Sequence, residues 1–192
     1  SLKTKIYKMA MSTSELCTDP VVIYTNESPT ETDFSDLPTI GSGAIAPGTY
    51  KCVMLEISDT FKYTPAENDG DQCIAGTEVT KAVCGADTPI KLIESTTLGS
   101  CTAGEDRMPV YISTLSTLDG TDTAWDAAGC DGDTDCNGSL PPTVAIPTRG
   151  TKLSAPIVIS EDTTGTFVID LTDALQTESG ICSFENVKFA YR

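Results

Sequence analysis

The sequence contains no histidine among its 192 residues. Nucleophilic systems that use histidine as a general base are therefore excluded, as are histidine metal sites and C-x-x-C-H haem attachment. A glycine-rich phosphate loop between a strand and a helix is also missing. A carboxylate pair of the glycosidase kind is conceivable, but no one pair stands out among the 28 Asp and Glu residues. We therefore expect a protein that is not an enzyme.

Basic residues are scarce: 12 Lys and Arg stand against 28 Asp and Glu, which gives a formal net charge of −16. This charge repels phosphate backbones and anionic membrane surfaces, so we expect no nucleic-acid partner. No stretch approaches the ~20 apolar residues of a membrane span, and no leader segment is visible. Because the chain begins at Ser1 rather than Met, we expect a mature form whose export signal has been removed.

The eight cysteines are even in number, and no two of them have the C-x-x-C spacing of a redox or zinc motif. Since no histidine is available to share a zinc site, disulfides in an extracellular or cell-surface protein explain them best. We expect all eight to be oxidised, with local bridges Cys130–Cys136 and Cys73–Cys84. The other four would pair among themselves in an order that the spacing leaves open: Cys17, Cys52, Cys101 and Cys182.

Short strand-like segments dominate the chain. In 49–58, for example, Val53, Leu55 and Ile57 recur with the period of two that is typical of a half-buried strand. Helical signals are weak and confined to 33–37, 125–129 and 171–176. We predict an all-β fold, a disulfide-stabilised antiparallel β-sandwich of immunoglobulin-like or pilin-like type with little helix. The candidate strands are 2–11, 20–25, 49–58, 74–84, 89–95, 108–114, 152–160, 165–171 and 181–191.

The longest segment without strand signals is the acidic loop 115–142, which contains CDGDTDCNGS. Part of it matches the first half of an EF-hand loop, but Val144 stands where the bidentate acid is expected. The alternative is a solvated turn closed by Cys130–Cys136, and the two interpretations are compatible. The disulfide is favoured; no cofactor is otherwise expected, and calcium is the one candidate ion. Its ligands would include Asp131, Asp133, Asp135 and Asn137.

The single tryptophan, Trp125, lies in the same acidic loop. An aromatic side chain among acids and hydroxyls is a common sugar-stacking arrangement, which makes Trp125 a candidate ligand-binding residue. The alternative is that it covers the end of the hydrophobic core, which we favour because a lone tryptophan is rarely left in water. Two N-glycosylation patterns, at Asn26 and Asn137, are short enough to be accidental.

The N-terminal segment 1–16 is basic in an otherwise acidic chain and precedes the first cysteine. It can form the first strand of the protein's own sheet, or it can act as a donor strand that completes the sheet of another copy. For the second case we expect an assembly face made of Leu2, Ile6 and Ala10, with Met9 and Met11 on the opposite face. The remainder, 17–192, is predicted to be a single β-sandwich domain.

Two function classes follow from these features. The first is a non-catalytic extracellular structural or adhesive protein, a pilus-like filament subunit whose partner is another copy of itself through β-strand complementation. The alternative is a secreted or lipid-anchored β-sandwich module that binds surface glycans. In composition the chain is similar to secreted prokaryotic β-sandwich surface proteins such as pilin-like subunits and adhesin domains. That likeness implies an exterior location and assigns no site.

Overall fold

Two β-sheets pack around a shared apolar core. The structure, a computed structural model, describes residues 1–34, 45–68, 73–82, 84, 88–102, 104, 107–115, 139–147 and 149–161. It also describes the backbone of four later strands within 167–191. The described residues contain no α-helix, and none of them forms a helix that is long and apolar enough to cross a bilayer.

The described residues form seventeen short strands. They are β1 (Leu2–Thr4), β2 (Ile6–Ser12), β3 (Val21–Thr25), β4 (Thr32–Asp33), β5 (Gly48–Tyr50), β6 (Cys52–Ser58), β7 (Thr60–Tyr63), β8 (Val79–Ala82), β9 (Thr88–Ile90), β10 (Gly99–Cys101), β11 (Arg107–Ser113), β12 (Thr151–Lys152), β13 (Ile157–Ile159), β14 (Phe167–Asp170), β15 (Leu175–Glu178), β16 (Ile181–Phe184) and β17 (Lys188–Tyr191).

The larger sheet has five strands in the order β12-β11-β6-β2-β3, and the smaller has four in the order β4-β1-β7-β8. Four two-stranded pairs complete the described strands: β10-β9, β13-β5, β14-β17 and β15-β16. All pairings are antiparallel except β11 with β12, where Ile112 lies opposite Thr151 in parallel register. The prediction of an all-β, disulfide-stabilised β-sandwich is confirmed, with this parallel edge pair as a departure from a purely antiparallel arrangement.

Two continuous segments of the chain each contribute one strand to both sheets. Strands β1 and β2 are separated only by Lys5, and strands β6 and β7 only by Asp59. The amide of Ser58 donates to the carbonyl of Lys5 at 2.9 Å, which holds the two bends side by side. As a result β1 pairs with β7 in the smaller sheet while β2 pairs with β6 in the larger one.

The main core draws side chains from both sheets. Alternate residues of β6, Val53, Leu55 and Ile57, point into it and are at most 2% exposed. Apolar residues of β11 and of the smaller sheet pack against them, so burial of these side chains is what holds the two layers together. These partners include Val110, Ile112, Leu2, Phe61 and Tyr63.

A register irregularity in β2 reverses its side-chain alternation. Ile6 lies opposite Ile57, whereas Lys8 lies opposite Glu56, with a shift between them. One extra residue in a strand moves every later side chain to the other face. Ile6 and Met9 therefore both face the main core, while Ala10 faces the opposite side of the sheet. The prediction that Ala10 shares a face with Leu2 and Ile6 is wrong for this reason.

Several element boundaries differ from those predicted. The expected strand 89–95 ends at Ile90, and the residues after it form turns. Part of the expected helical segment 171–176 belongs to strand β15, which pairs with β16. Strands β4, β7 and β10 are two to four residues long and were not predicted, although Phe61 and Tyr63 of β7 alternate with polar residues. Pairing with neighbouring strands makes all three extended.

Two disulfides are described, Cys17–Cys52 and Cys84–Cys101. The first joins two of the four cysteines that were expected to pair among themselves. The second removes Cys101 from that set, so the prediction is wrong for Cys101 and its expected partner. The predicted bridge Cys73–Cys84 is wrong, because β10 pairs with β9 and carries Cys101 opposite Thr88, close to Cys84. Cys73 is also disulfide-bonded.

Candidate functional site

The N-terminal strand is central in both sheets. Strand β1 lies between β4 and β7, and strand β2 lies between β6 and β3. Of the predicted assembly residues, Leu2 is 8%, Ile6 3% and Ala10 0% exposed. The structure thus places all three inside the sheets of their own chain, as the first of the two sequence interpretations expects. It brings Leu2 and Ile6 into one core and puts Ala10 on the other face.

Ion pairs connect the same strand to the rest of the chain. Lys3 Nζ lies 2.8 Å from Glu78 Oε2, and Lys8 Nζ lies 3.1 Å from Glu94 Oε2. The Glu78 carboxylate raises the pKa of Lys3, and in return Lys3 lowers the pKa of Glu78. Both pairs are partly exposed to solvent, so each contributes modestly and less at high salt.

The outer face of the five-stranded sheet carries a second apolar cluster. Ala10 of β2, Met54 of β6 and Tyr111 of β11 meet there beside the Cys17–Cys52 disulfide. Ile93, which is 4% exposed, joins this cluster from a segment beyond the sheet. Ile93 belongs to residues 91–95, a turn segment that we call the strap.

Polar contacts hold the strap against the sheet. The hydroxyl of Tyr111 donates to the carbonyl of Lys91 at 2.5 Å, and the Lys8–Glu94 ion pair joins the strap to β2. Glu94 has a φ of 66°, a left-handed conformation that a non-glycine residue adopts only when its surroundings hold it there. The amide of Ser95 donates to the carbonyl of Leu92 at 3.0 Å and closes the turn.

Glu56 is a carboxylate buried beneath the strap. It is 2% exposed, and its Oε1 accepts a hydrogen bond from the Ile93 amide at 2.8 Å. Arg107 Nη1 lies 3.9 Å from its other oxygen, and Lys8 lies opposite it in the sheet register. Removal from water raises the pKa of Glu56, and the nearby positive charges and the Ile93 amide only partly offset this.

Arg107 organises the charged edge of the same face. Its guanidinium pairs with Glu27 at 2.5 Å and stacks over the Tyr7 ring, 4.3 Å from the ring centroid. The hydrogen bond and charge of Arg107 lower the pKa of Glu27. Since Tyr7 is in β2 and Arg107 in β11, this stack bridges over the intervening strand β6.

A second buried carboxylate, Asp59, lies at the bend between β6 and β7. It is 0% exposed and accepts a hydrogen bond from the Gly104 amide at 2.6 Å. Its ligand atoms and those of Cys84 and Cys101 lie within 4.8 Å of one another, the only such metal-type group among the described residues. Because the two sulfurs are bonded to each other, they offer no thiolate to a metal. Asp59 therefore acts as a structural acceptor for the loop that carries Gly104.

The predicted acidic-loop site falls outside the described residues. This applies to the candidate calcium ligands, to the candidate sugar-binding tryptophan and to three of the cysteine side chains. Asn26 is described: its Oδ1 accepts a hydrogen bond from the Ser28 amide at 3.0 Å, which forms a tight turn at the end of β3. The predicted residues outside the description are Asp131, Asp133, Asp135, Asn137, Trp125, Cys130, Cys136 and the side chain of Cys182.

The sequence analysis missed Glu56 and Arg107. A signal for Glu56 was present, because it shares one face of the strand with Cys52 and Met54, residues that are usually buried. A carboxylate on such a face must be partnered. Nothing in the spacing links Arg107 to Tyr7 or to Glu27, which strand pairing alone brings together.

Comparison with known proteins adds no assignment to this geometry. No protein-family model, no curated protein sequence and no solved structure matches the chain.

Proposed function

We propose that the protein is a non-catalytic structural or adhesive component of the cell exterior whose copies assemble by exchanging the N-terminal strand β1–β2. One observation carries this proposal. The segment is central in both sheets, yet it lies entirely before Cys17, the first cross-linked residue. It can therefore leave its own fold and enter that of another copy without any disulfide being broken.

A copy without residues 1–12 would present a groove between β6 and β3 that continues between β7 and β4. The strands that line this groove contribute apolar side chains, because Leu55 and Ile57 of β6 and Phe61 of β7 all belong to the main core. Main-chain groups on both sides would be left without their partners, which favours the entry of an extended segment. The incoming strand would restore both its hydrogen bonds and the buried side chains.

Charge complementarity supports the same segment as the occupant. Its lysines, Lys3 and Lys8, reach carboxylates of the body, Glu78 and Glu94. In an exchanged assembly the same ion pairs would form between copies. The attraction would then oppose the general repulsion between chains of net charge −16, and it would weaken with salt.

The hinge for the exchange would be residues 13–16. This turn is short, and its end is fixed to β6 by the Cys17–Cys52 bridge. Within the turn, the Ser14 amide donates to Ser12 Oγ at 3.0 Å and the Cys17 amide donates to the Ser14 carbonyl at 3.1 Å. Exchange would break few contacts other than those that it restores. In this proposal each copy donates its strand to the next copy and receives one from the previous copy, so the contact is heterologous and its repetition builds an open filament.

The disulfides support an oxidising environment and hence the exterior location of this proposal. Structural and adhesive proteins of the exterior gain from such cross-links because they must persist outside the cell. The Cys17–Cys52 bridge also anchors one side of the groove, since Cys52 begins β6, one of the strands that line it.

The test is to delete residues 1–11 and add the peptide LKTKIYKMAM in trans. We expect the deleted protein to be monomeric and less stable, and the peptide to raise its melting temperature with the logarithm of peptide concentration once that concentration exceeds the dissociation constant. A control peptide with Ile6→Asp should fail, because it would bury a charge in the core. Absence of stabilisation by the parent peptide, in a deleted protein that still folds, would contradict the proposal.

A further inference from the structure

The strap over the outer face of the five-stranded sheet lies directly on a buried acid. Its Ile93 side chain fills the outer apolar cluster, and its Ile93 amide donates to Glu56 Oε1 at 2.8 Å. Glu56 projects from β6, a strand flanked by β2 and β11, so its route to water leads outward past the strap. Lifting residues 91–95 would therefore expose the carboxyl group to solvent.

We propose that the strap is a proton-sensitive cover, which closes more firmly in mildly acidic solution than at neutral pH because closure buries the Glu56 carboxyl group. The proposal concerns a single copy of the chain and does not depend on strand exchange.

Every element around Glu56 contributes a charge or a dipole. Strand β2 supplies Lys8, strand β11 supplies Arg107 and Tyr111, and the strap supplies the Ile93 amide. Glu27, which follows β3, adds a negative charge, and Glu94 of the strap is paired with Lys8. The positive groups and the Ile93 amide favour the ionised carboxylate, whereas burial and Glu27 favour the protonated form.

Burial is the largest of these influences, and the pKa of Glu56 is raised in the closed form. When the strap lifts, solvation returns the pKa toward the ordinary value of 4.5. The closed form therefore binds the proton more tightly than the open form. By linkage, protonation stabilises closure as pH falls through the range above 4.5, and ionisation weakens closure at neutral pH.

The strap itself is suited to local opening. It crosses the face as a turn rather than as a paired strand, and it contains the left-handed Glu94. Its polar attachments are the Tyr111–Lys91 hydrogen bond, the Ile93 amide bond to Glu56, the partly exposed Lys8–Glu94 pair and a 3.3 Å hydrogen bond from the Lys91 amide to the Ser139 carbonyl. Its apolar contacts are those of Ile93 with the outer cluster and of Leu92 with the main core. Segments with few buried contacts open at a lower free-energy cost than the sheet beneath them. Opening would uncover Met54, Ala10 and the Cys17–Cys52 disulfide.

Hydrogen exchange of the full chain, followed by NMR at pH 7 and pH 5, tests this cover. Rates are corrected for intrinsic exchange, and the Leu55 amide in β6 serves as the reference for global unfolding. We expect Ile93 to be less protected than Leu55 and its protection factor to rise at least about threefold on acidification. The rise is limited to tenfold per pH unit for one proton.

Substitutions distinguish the titration of Glu56 from that of other acidic residues. Glu56→Gln keeps a carbonyl acceptor for the Ile93 amide but cannot titrate, so Ile93 protection should be high and should not change with pH. Glu78→Gln is the matched control that should retain the parent pH response, because Glu78 pairs with Lys3 and does not act on Glu56. If Glu56→Gln does not fold, the carbon-13 shift of the Glu56 carboxyl group in the parent protein gives its pKa directly.

Four outcomes would overturn the proposal. They are Ile93 protection that stays constant or falls on acidification, a Glu56→Gln variant that retains the pH response, Ile93 exchange that matches Leu55 at both pH values, and a Glu56 pKa at or below 4.5 in the folded chain.

Discussion

Removal of the Cys17–Cys52 bridge should lower the free energy of unfolding more than removal of the Cys84–Cys101 bridge. The bridge spans a sequence separation of 35, against 17 for Cys84–Cys101. Loop-closure entropy then gives about 4 kcal/mol for the first bridge and about 3 kcal/mol for the second. The first bridge also packs in the outer apolar cluster, where Cys52 is 0% exposed.

The comparison needs two double variants, Cys17→Ala with Cys52→Ala and Cys84→Ala with Cys101→Ala. Paired replacement avoids leaving a thiol that could react with another bridge. Urea denaturation followed by circular dichroism gives the unfolding free energy of each variant relative to the parent. We expect both to be destabilised, and the first variant more strongly.

Anchoring of the N-terminal strand by the first bridge has an effect that loop-closure entropy alone would not produce. The first bridge anchors the chain to β6 immediately after β2, so its loss should make the N-terminal strand leave the sheet more readily. Amides of β2 should lose protection relative to those of β11 in the first variant only. A loss below about 1 kcal/mol for the first variant, or a larger loss for the second, would refute the reasoning.

Three other results are expected. Leu55→Ala should cost about 2–5 kcal/mol because the side chain is 1% exposed in the main core, whereas Val158→Ala, at 61% exposure, should change stability by less than about 0.5 kcal/mol in the same urea assay. Gly150→Ala should cost at least about 1–2 kcal/mol, since φ there is +95° and a Cβ would lie 3.1 Å from a backbone oxygen of β11; thermal melting that shows no loss would contradict this. Peptide mapping without reduction should recover a Cys130–Cys136 bridge. Because Cys73 is also disulfide-bonded, elimination then leaves Cys182 as its partner. Recovery of Cys73 bonded to Cys130 or Cys136 would disprove that connectivity.

The fold class could be predicted because side chains on a strand point alternately to its two faces, with a period of two. Val53, Leu55 and Ile57 show this period in the sequence and face the core in the structure. The sheet face on which Ala10 lies could not be predicted in this way, because the register shift in β2 depends on how that strand pairs with β6. The same limit applies to Cys84: its partner follows from the pairing of β9 with β10 and not from distance along the chain.

Only the part of the candidate site that lies in one continuous segment of the chain could be predicted from the sequence. The N-terminal strand is continuous in sequence, and its lysines, its apolar residues and its position before Cys17 are visible there. The charged face around Glu56 combines β2, β6, β11 and the strap, whose distances are set by the fold. The one signal for this face in the sequence was the charged residue Glu56 among neighbours that are usually buried.

Sedimentation velocity of the native full-length protein, isolated from its own source, tests strand exchange most directly. The account predicts a ladder of polymers that shortens with added salt, and a single monomeric species when residues 1–11 are deleted. The Lys3→Ala, Lys8→Ala variant should form weaker polymers, because both ion pairs to the neighbouring copy are lost. A native preparation that sediments only as a monomer at every concentration and salt would contradict the account.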